Sequence, residues 1–534
     1  SEILVEGYCD TAIVTLSRTA AEGSALSMDL DGDGSTVNGT TYLELDDNER
    51  NLMKFCKENF KHTIVLLNTS SAMEIGFLDS EEYNVEACLW IGHPGDAGLV
   101  GVGKLITGAV NPSGRLVDTF VYDLHAIPAI NYVADLQYDN THDMVNASPD
   151  GWLNATFTNY AESIYVGYKY YETAAAEGFI DYDKVVQFPF GYGLSYTSFE
   201  QSITDLKDDG TNITVTVEVK NTGSTAGKDA VEVYMTPPYT NGGIEKAEVN
   251  LIQYAKTGMI EPGASEMVSV SFAKEDMASY DYSGIKAEGG AYVLEAGTYE
   301  ITARSDSHTV LDSRSVTVEK DIIYNEEHDG GRSSDKIVAE NRFDYALGDV
   351  TYLSRANHFA NYEEAMATPT NFSMSDEVKE GFYCQATYDA SLTDDANAVM
   401  PVTGAKNGLT FREMTGVPYD DETWNKLLDQ LTISEMNALI ATGGYAIAKA
   451  DSIGLPAFVE CDGPAAIKNN YTGQSGTAFP AATMIAATWS QELAEKRGEM
   501  MGRQCQDMNV VGWYGPAMNI HRTPFSGRNF EYYS

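Results

Sequence analysis

Basic residues are scarce in this chain. Its 534 residues carry 34 Lys and Arg against 79 Asp and Glu, a formal charge of −45. A field of that sign repels nucleic acid and anionic membrane surfaces, so neither is expected as a partner. It suits an uncharged or cationic ligand. The acidic residues form no long run, which reads as a solvated acidic surface. No apolar run approaches the roughly 18 residues that a membrane-spanning helix needs. Cysteine is sparse too. Cys9, Cys56, Cys88, Cys384, Cys461 and Cys505 are widely scattered, with no CxxC pair. That excludes a zinc or disulfide framework and points to reduced residues in apolar surroundings. No secretory leader is visible, and Ser1 does not read as a natural start. The compartment is left open, with an extracellular or cell-surface location favoured.

What is present is ordinary globular composition, 43% hydrophobic and 21% charged, in a length that suggests about three domains. Residues 1–204 read as an α/β layer domain. Short apolar runs at 11–16, 63–67 and 85–91 read as parallel strands covered on both faces. Residues 48–57 read as a helix capped by Asp46 or Asp47. The glycines at 98, 101 and 103 lack the GxGxxG spacing of a dinucleotide loop. Glu22 lies in SRTAAEGS, a small-residue loop after the first strand. Asp29, Asp31, Asp33 and Gly34 match the first half of a calcium loop. Thr40 stands where the twelfth-position Glu belongs, so an acidic turn is expected there and no metal.

Residues 205–320 alternate with a period of two. Ile213, Val215, Val217 and Val219 are interleaved with Thr214, Thr216 and Glu218, and similar runs recur to Val318. Asn221-Thr222-Gly223 and Pro262-Gly263 supply turns. This is a fibronectin type III or immunoglobulin-like β-sandwich pattern, with a supporting role. Residues 321–415 are mixed, acidic and weakly periodic, and read as a linker.

From 416 onward helices and buried strands return. Trp424, Leu427, Leu428 and Leu431 keep helical spacing. Thr432 to Glu435 is a capping box, with Met436, Leu439 and Ile440 expected on the inner face of the helix it opens. In GLPAFVECDGPAAIK a strand ends at Asp462-Gly463-Pro464, placing a carboxylate at a strand's C-terminal end, where barrel sites are built. A helix cap is the alternative role for Asp462. Ser490 caps a helix running to about Met508. It leads into WYGPAMNIHRTPFSGRNFEYYS, a strand that opens into a loop rich in hydrogen-bonding groups. There Arg528, between Gly527 and Asn529, has a planar fork suited to vicinal hydroxyls or carboxylates.

GPAMNIHRTPFSGRNFEYYS resembles the barrel-domain signature of glycoside hydrolase family 3. HPGDAGL…NPSGRL, IYVGYKYYE and FPFGYGLSYTSF resemble that family's sandwich domain, and Leu353-Ser354-Arg355 resembles a connection in inverted-order members. The resemblance implies a multidomain α/β fold. It comprises an α/β sandwich (1–204), a fibronectin type III-like β-sandwich (205–320), a linker (321–415) and the N-terminal portion of a TIM barrel, (β/α)8 (416–534). The first sandwich strands would be missing. The remainder of the barrel, with a Lys-His pair and the nucleophilic Asp, would also lie outside these residues.

The function it implies is a retaining, exo-acting β-glucosidase removing terminal non-reducing β-linked sugars. Two carboxylates do such chemistry without a cofactor. Glu22 matches the family's acid/base loop, though a surface-loop glutamate is its ordinary reading alone. Asp462 matches the DGP aspartate that grips the sugar, and Arg528 a second sugar-holding residue. Lys468 stands where Arg is common. A β-xylosidase or mixed-specificity enzyme is the nearest alternative. A silent carbohydrate-binding or structural fragment is the alternative from another class. Carbohydrate is the expected partner, with room for a companion chain or homo-oligomer that completes the barrel.

Overall fold

A computed structural model describes the chain except residues 1–8, 31–39, 134–135, 142–154, 328–331, 333–337, 340–349, 382–390 and 392–393. Cys384 and most of the Asp29–Asp33 loop lie outside the described residues. Among them the cysteines are free, and Cys9 and Cys88 are exposed where apolar surroundings were expected.

Three parallel strands begin the α/β layer: β1 (Thr11–Ser17), β2 (His62–Asn68) and β3 (Ala87–Trp90), in the order β1-β2-β3. Helix α1 (Asp47–Asn59) joins the first two, and Asp46 caps it in a capping box with Glu49. Ala12, Val14 and Leu16 face the core with Met53 and Cys56 of that helix. Expected burial on both faces does not hold for β1. Its residues alternate inside and outside, and Ile13 is 51% exposed. A strand covered by packing on only one face shows this period of two.

The β-sandwich has two sheets. One pairs β4 (Phe199–Asp208), β5 (Asn212–Asn221) and β8 (Ser265–Ala273), with β5 central. The other runs β7 (Asn250–Lys256), β6 (Ala230–Thr236), β9 (Gly297–Arg304), β10 (Val310–Val318). Every second residue of β5, from Ile213 to Val219, is fully buried against Val231, Val233, Ile301 and Ala303 of the facing sheet. Alternation in the sequence becomes the interface between sheets.

Residues 350–366 do not hang free. Leu353, Phe359, Ala365 and Met366 enter the α/β core. Arg355 is buried between the two leading domains, bonding Glu177 and Glu248 (both 2.9 Å) and the carbonyl of Lys246, with its guanidinium 3.9 Å from the Tyr239 ring centre. The segment is therefore tied to both.

Toward the C-terminus, helix α2 (Ile433–Ala441) is opened by the Thr432–Glu435 capping box. Met436 and Leu439 pack on Leu427 and Ile453. Ile440 does not; it is 82% exposed. One helical residue is about 100° of rotation, so a neighbour of the half-buried Leu439 can turn away from a narrow contact. Strands β11 (Ala446–Ile447), β12 (Phe458–Cys461) and β13 (Gly512–Trp513) form one sheet, antiparallel between the first two and parallel between the last two. Helix α3 (Gln491–Asp507), capped by Ser490, makes the crossover between the parallel pair. Its Met501 joins Cys461, Ile467 and Val510 in a local core.

Candidate active site

Glu22 stands on a tight turn a few residues after β1, closed by the Ser24 N–H donating to the Ala21 carbonyl at 3.0 Å. Gly23 takes φ +71°, a conformation glycine adopts at no steric cost. The signature loop reaches this turn from the other end of the chain: the Leu26 N–H donates to the Phe525 carbonyl at 2.8 Å. The approach needs glycine at 527, because a Cβ there would collide with the carbonyl oxygens of Ala21 and Ser24. The result is an ion pair, Arg528 Nη1 donating to Glu22 Oε1 at 3.0 Å across 506 positions of sequence. Glu22 is 71% exposed and Arg528 42%, so solvent screens this pair and it contributes little stability.

The opposite edge of the guanidinium is occupied. Nε and Nη2 of Arg528 donate to Glu531 at 3.1 and 2.6 Å. Glu531 is buried, so its carboxylate orients the fork and leaves Nη1 pointing toward Glu22. The sequence offered Glu531 only as one more hydrogen-bonding group of the loop. Its i, i+3 spacing from Arg528 was the available signal.

Two neighbours anchor the loop to the α/β domain. Arg522 bonds Glu162 through both nitrogens of one edge and donates to the carbonyls of Tyr132 (2.7 Å) and Asn159 (3.0 Å). His521 places Nδ1 2.9 Å from Asp118 and Nε2 3.0 Å from the Asn529 carbonyl. Both partners only accept, so both ring nitrogens must carry protons. Burial lowers the His521 pKa, but Asp118 and the carbonyls outweigh it, and the net shift is upward. A cavity of about 60 Å³ lies between these groups. It is far below the roughly 300 Å³ at which small-molecule sites begin, so it is a packing gap and not a sugar site.

Asp462 follows β12. No helix begins there, so the capping alternative has no helix to cap. Its Oδ1 accepts from the Gly463 N–H at 2.7 Å and its Oδ2 from the Tyr445 hydroxyl at 3.0 Å. Gly463 sits at φ +97°, where a Cβ would meet the Ala466 carbonyl. Lys468 closes the same turn through its backbone, exchanging both hydrogen bonds with Asp462 at 2.8 Å, while its side chain is exposed. The sequence-predicted residues thus fall into two pairs, Glu22 with Arg528 and Asp462 with Lys468. No hydrogen bond or ion pair joins one pair to the other among the described residues.

For a metal, Glu44, Glu74 and His125 bring ligand atoms within 4.8 Å of one another. Burial pushes the Glu74 carboxyl up to about 7. One Glu74 oxygen already accepts from the Leu124 N–H at 2.7 Å, and His125 Nδ1 faces Asp123 at 3.0 Å. The three residues are half-buried, and each already has a hydrogen-bond partner.

Comparisons with known proteins locate the chain. Residues 5–196 match the glycosyl hydrolase family 3 C-terminal domain, and residues 229–307 the fibronectin type III-like domain. A β-glucosidase of Ruminococcus albus is 30% identical over 98% of this chain and 49% of its own length. β-Glucosidase A of Butyrivibrio fibrisolvens is 29% identical over 99% of this chain and 63% of its own. The chain therefore spans about half to two thirds of these relatives. A crystal structure of a β-glucosidase from Paenibacillus barengoltzii superimposes with a TM-score of 0.70 at 24% identity, covering 98% of this chain and 53% of the other. At that identity the likeness speaks for the fold.

Proposed function

The chain belongs to glycoside hydrolase family 3, and from that premise we propose that it holds the acid/base and sugar-gripping part of a retaining β-glucosidase site. In this reading residues 416–534 form the N-terminal portion of a (β/α)8 barrel, and the nucleophilic aspartate is not among the site residues of this chain. The domains would divide at 1–204, 205–320, 321–415 and 416–534. Glu22 is the general acid/base. Asp462 and Arg528, with Lys468, hold the terminal sugar.

The supporting observation is the Glu22–Arg528 ion pair. It puts an exposed carboxylate from the α/β domain within hydrogen-bond reach of a fork on the signature loop. A glycosidase needs an acid beside the leaving oxygen, within a few ångströms of the groups that hold the sugar. Arg528 Nη1 holds the Glu22 carboxylate by one hydrogen bond when no substrate lies between them. Sugar hydroxyls arriving at Arg528 Nη1 would take over that hydrogen bond. Glu22 would then be released to swing toward the glycosidic oxygen.

Leaving-group dependence tests this in the intact protein. With Glu22→Ala, release of glucose or an alkoxide should slow most, because such groups need protonation. An activated phenolate leaves unaided, so its departure should survive while water attack becomes limiting. Azide, which needs no general base, should restore that step and yield a β-glycosyl azide. Equal slowing of all leaving groups with no azide effect removes Glu22 from the role. Absence of aryl β-glucoside and aryl β-xyloside hydrolysis by the intact wild type would leave a carbohydrate-binding function in its place.

A further inference from the structure

Asp462 is not alone at its strand end. Tyr445, Tyr471 and Tyr514 gather beside it, with ring centres 5.1 Å apart between Tyr445 and Tyr471 and 5.4 Å between Tyr445 and Tyr514. Tyr471 is 81% exposed and Tyr514 41%, so two of the three rings are open to solvent next to the carboxylate. The cluster is assembled from three separate segments: the turn before β11, the loop after Lys468, and the residue following β13.

Tyr445 is held in an unusual state. Its φ is +58°, a left-handed conformation that bulky side chains rarely adopt. The Tyr514 hydroxyl accepts its N–H at 2.8 Å and itself donates to Glu460 Oε2 at 2.6 Å. The Tyr445 carbonyl accepts from the Glu460 N–H at 3.0 Å. These bonds lock the strained backbone and aim the phenol so that its hydroxyl reaches Asp462 Oδ2. Strain kept in place by surrounding bonds points toward function more than toward stability.

We propose that Tyr445, Tyr471 and Tyr514 form an aromatic platform for a pyranose ring, with the Tyr445 hydroxyl positioning Asp462 to accept that sugar's hydroxyls. This deepens the reading given under Proposed function and rests on its assignment of Asp462. The chemistry is complementary. A sugar presents polar hydroxyls at its rim and C–H groups on its faces; the faces match the electron-rich face of an aromatic ring, and the rim matches a carboxylate. Asp462 alone would select for hydroxyls. A platform beside it selects for a flat, equatorially substituted ring, such as glucose or xylose in β-linked glycosides, over an acyclic polyol carrying the same hydroxyls.

The test uses the intact protein and reads glucose binding by calorimetry, which needs no turnover, with sorbitol as the acyclic control. Tyr471→Ala should weaken glucose binding by about three- to tenfold, the range for one aromatic contact, and leave the unfolding midpoint unchanged. Tyr445→Phe keeps the ring and loses the hydroxyl. It should weaken glucose binding by a similar factor, and Tyr445→Ala by more than either. Unchanged affinity in Tyr471→Ala and Tyr445→Phe, or wild-type binding no tighter for glucose than for sorbitol, overturns the proposal. Aryl β-glucoside hydrolysis by the same preparations judges the enzymatic reading separately. Hydrolysis without any effect of these variants sinks the platform alone, and variant-sensitive glucose binding without hydrolysis sinks the enzyme alone.

Discussion

Gly527→Ala is the smallest change that probes how the proposed site is assembled. The added methyl would point at the carbonyl oxygens of Ala21 and Ser24, well inside 3.0 Å of both. Those oxygens belong to backbone and cannot swing aside as a side chain would. The turn bearing Glu22 and the loop bearing Arg528 must therefore part. Forcing one methyl into a packed contact costs about 1–3 kcal/mol. The Leu26 N–H to Phe525 carbonyl bond, now 2.8 Å, bridges the same two segments, and stretching it adds about 1 kcal/mol. The sum, about 2–4 kcal/mol, should lower the unfolding midpoint of the intact protein by several degrees. Catalysis should suffer more than stability suggests. A displacement approaching 1 Å between positioned groups can cost about a hundredfold, so kcat/KM on an aryl β-glucoside should fall by about 10- to 100-fold. Calorimetric unfolding and steady-state kinetics on one preparation check both. An unchanged midpoint together with unchanged kcat/KM would refute the claim that this glycine carries the approach of the two loops.

Glu531→Gln removes the charge that orients the Arg528 fork; kcat/KM should drop, azide should not restore it, and a combined Glu22→Ala, Glu531→Gln variant should show non-additive losses. His521 has a folded pKa above its ordinary value, so its contribution is complete below about pH 6.5 and is lost as pH rises through the folded value. The midpoint difference between wild type and His521→Gln should thus be largest in mild acid and shrink at alkaline pH, and a difference that grows with pH would contradict the assignment. Arg355→Ala removes the buried guanidinium shared by Glu177 and Glu248, leaving Glu177 to His358, and should destabilise by about 1.5–3 kcal/mol, the range for a charged hydrogen bond, measured by denaturant unfolding. Asp462→Ala should lower kcat/KM by about 1.5–3 kcal/mol for each lost charged hydrogen bond, partly in kcat, with little change in midpoint.

Local signals were legible wherever the physics is local. Asp46, Thr432 and Ser490 cap the helices that their spacing announces, because a cap satisfies N–H groups only three residues away. The period of two from Ile213 to Val219 reports a half-buried strand because successive side chains alternate across any sheet. Where burial depends on a partner, the same patterns misled. Ile13 sits in an apolar run and faces solvent, and Ile440 keeps helical spacing and lies outside the contact. Periodicity tells which residues share a face, not how wide a face the neighbour covers.

The sequence by itself determined the types of group available: a glutamate in a glycine turn, an aspartate at a strand end, an arginine flanked by glycine. It also carried the motifs from which the family could be recognised. Tertiary structure alone decided which of these meet. Glu22 and Arg528 are 506 positions apart, and their contact exists because the α/β domain and the signature loop dock through Arg522–Glu162 and His521–Asp118. The tyrosine cluster beside Asp462 is equally unreadable in one dimension, since it draws on three segments and on a positive φ held by a hydroxyl from β13's end. Propensity and capping act over a few residues, whereas a site is a set of distances between segments that only the folded packing brings to a few ångströms.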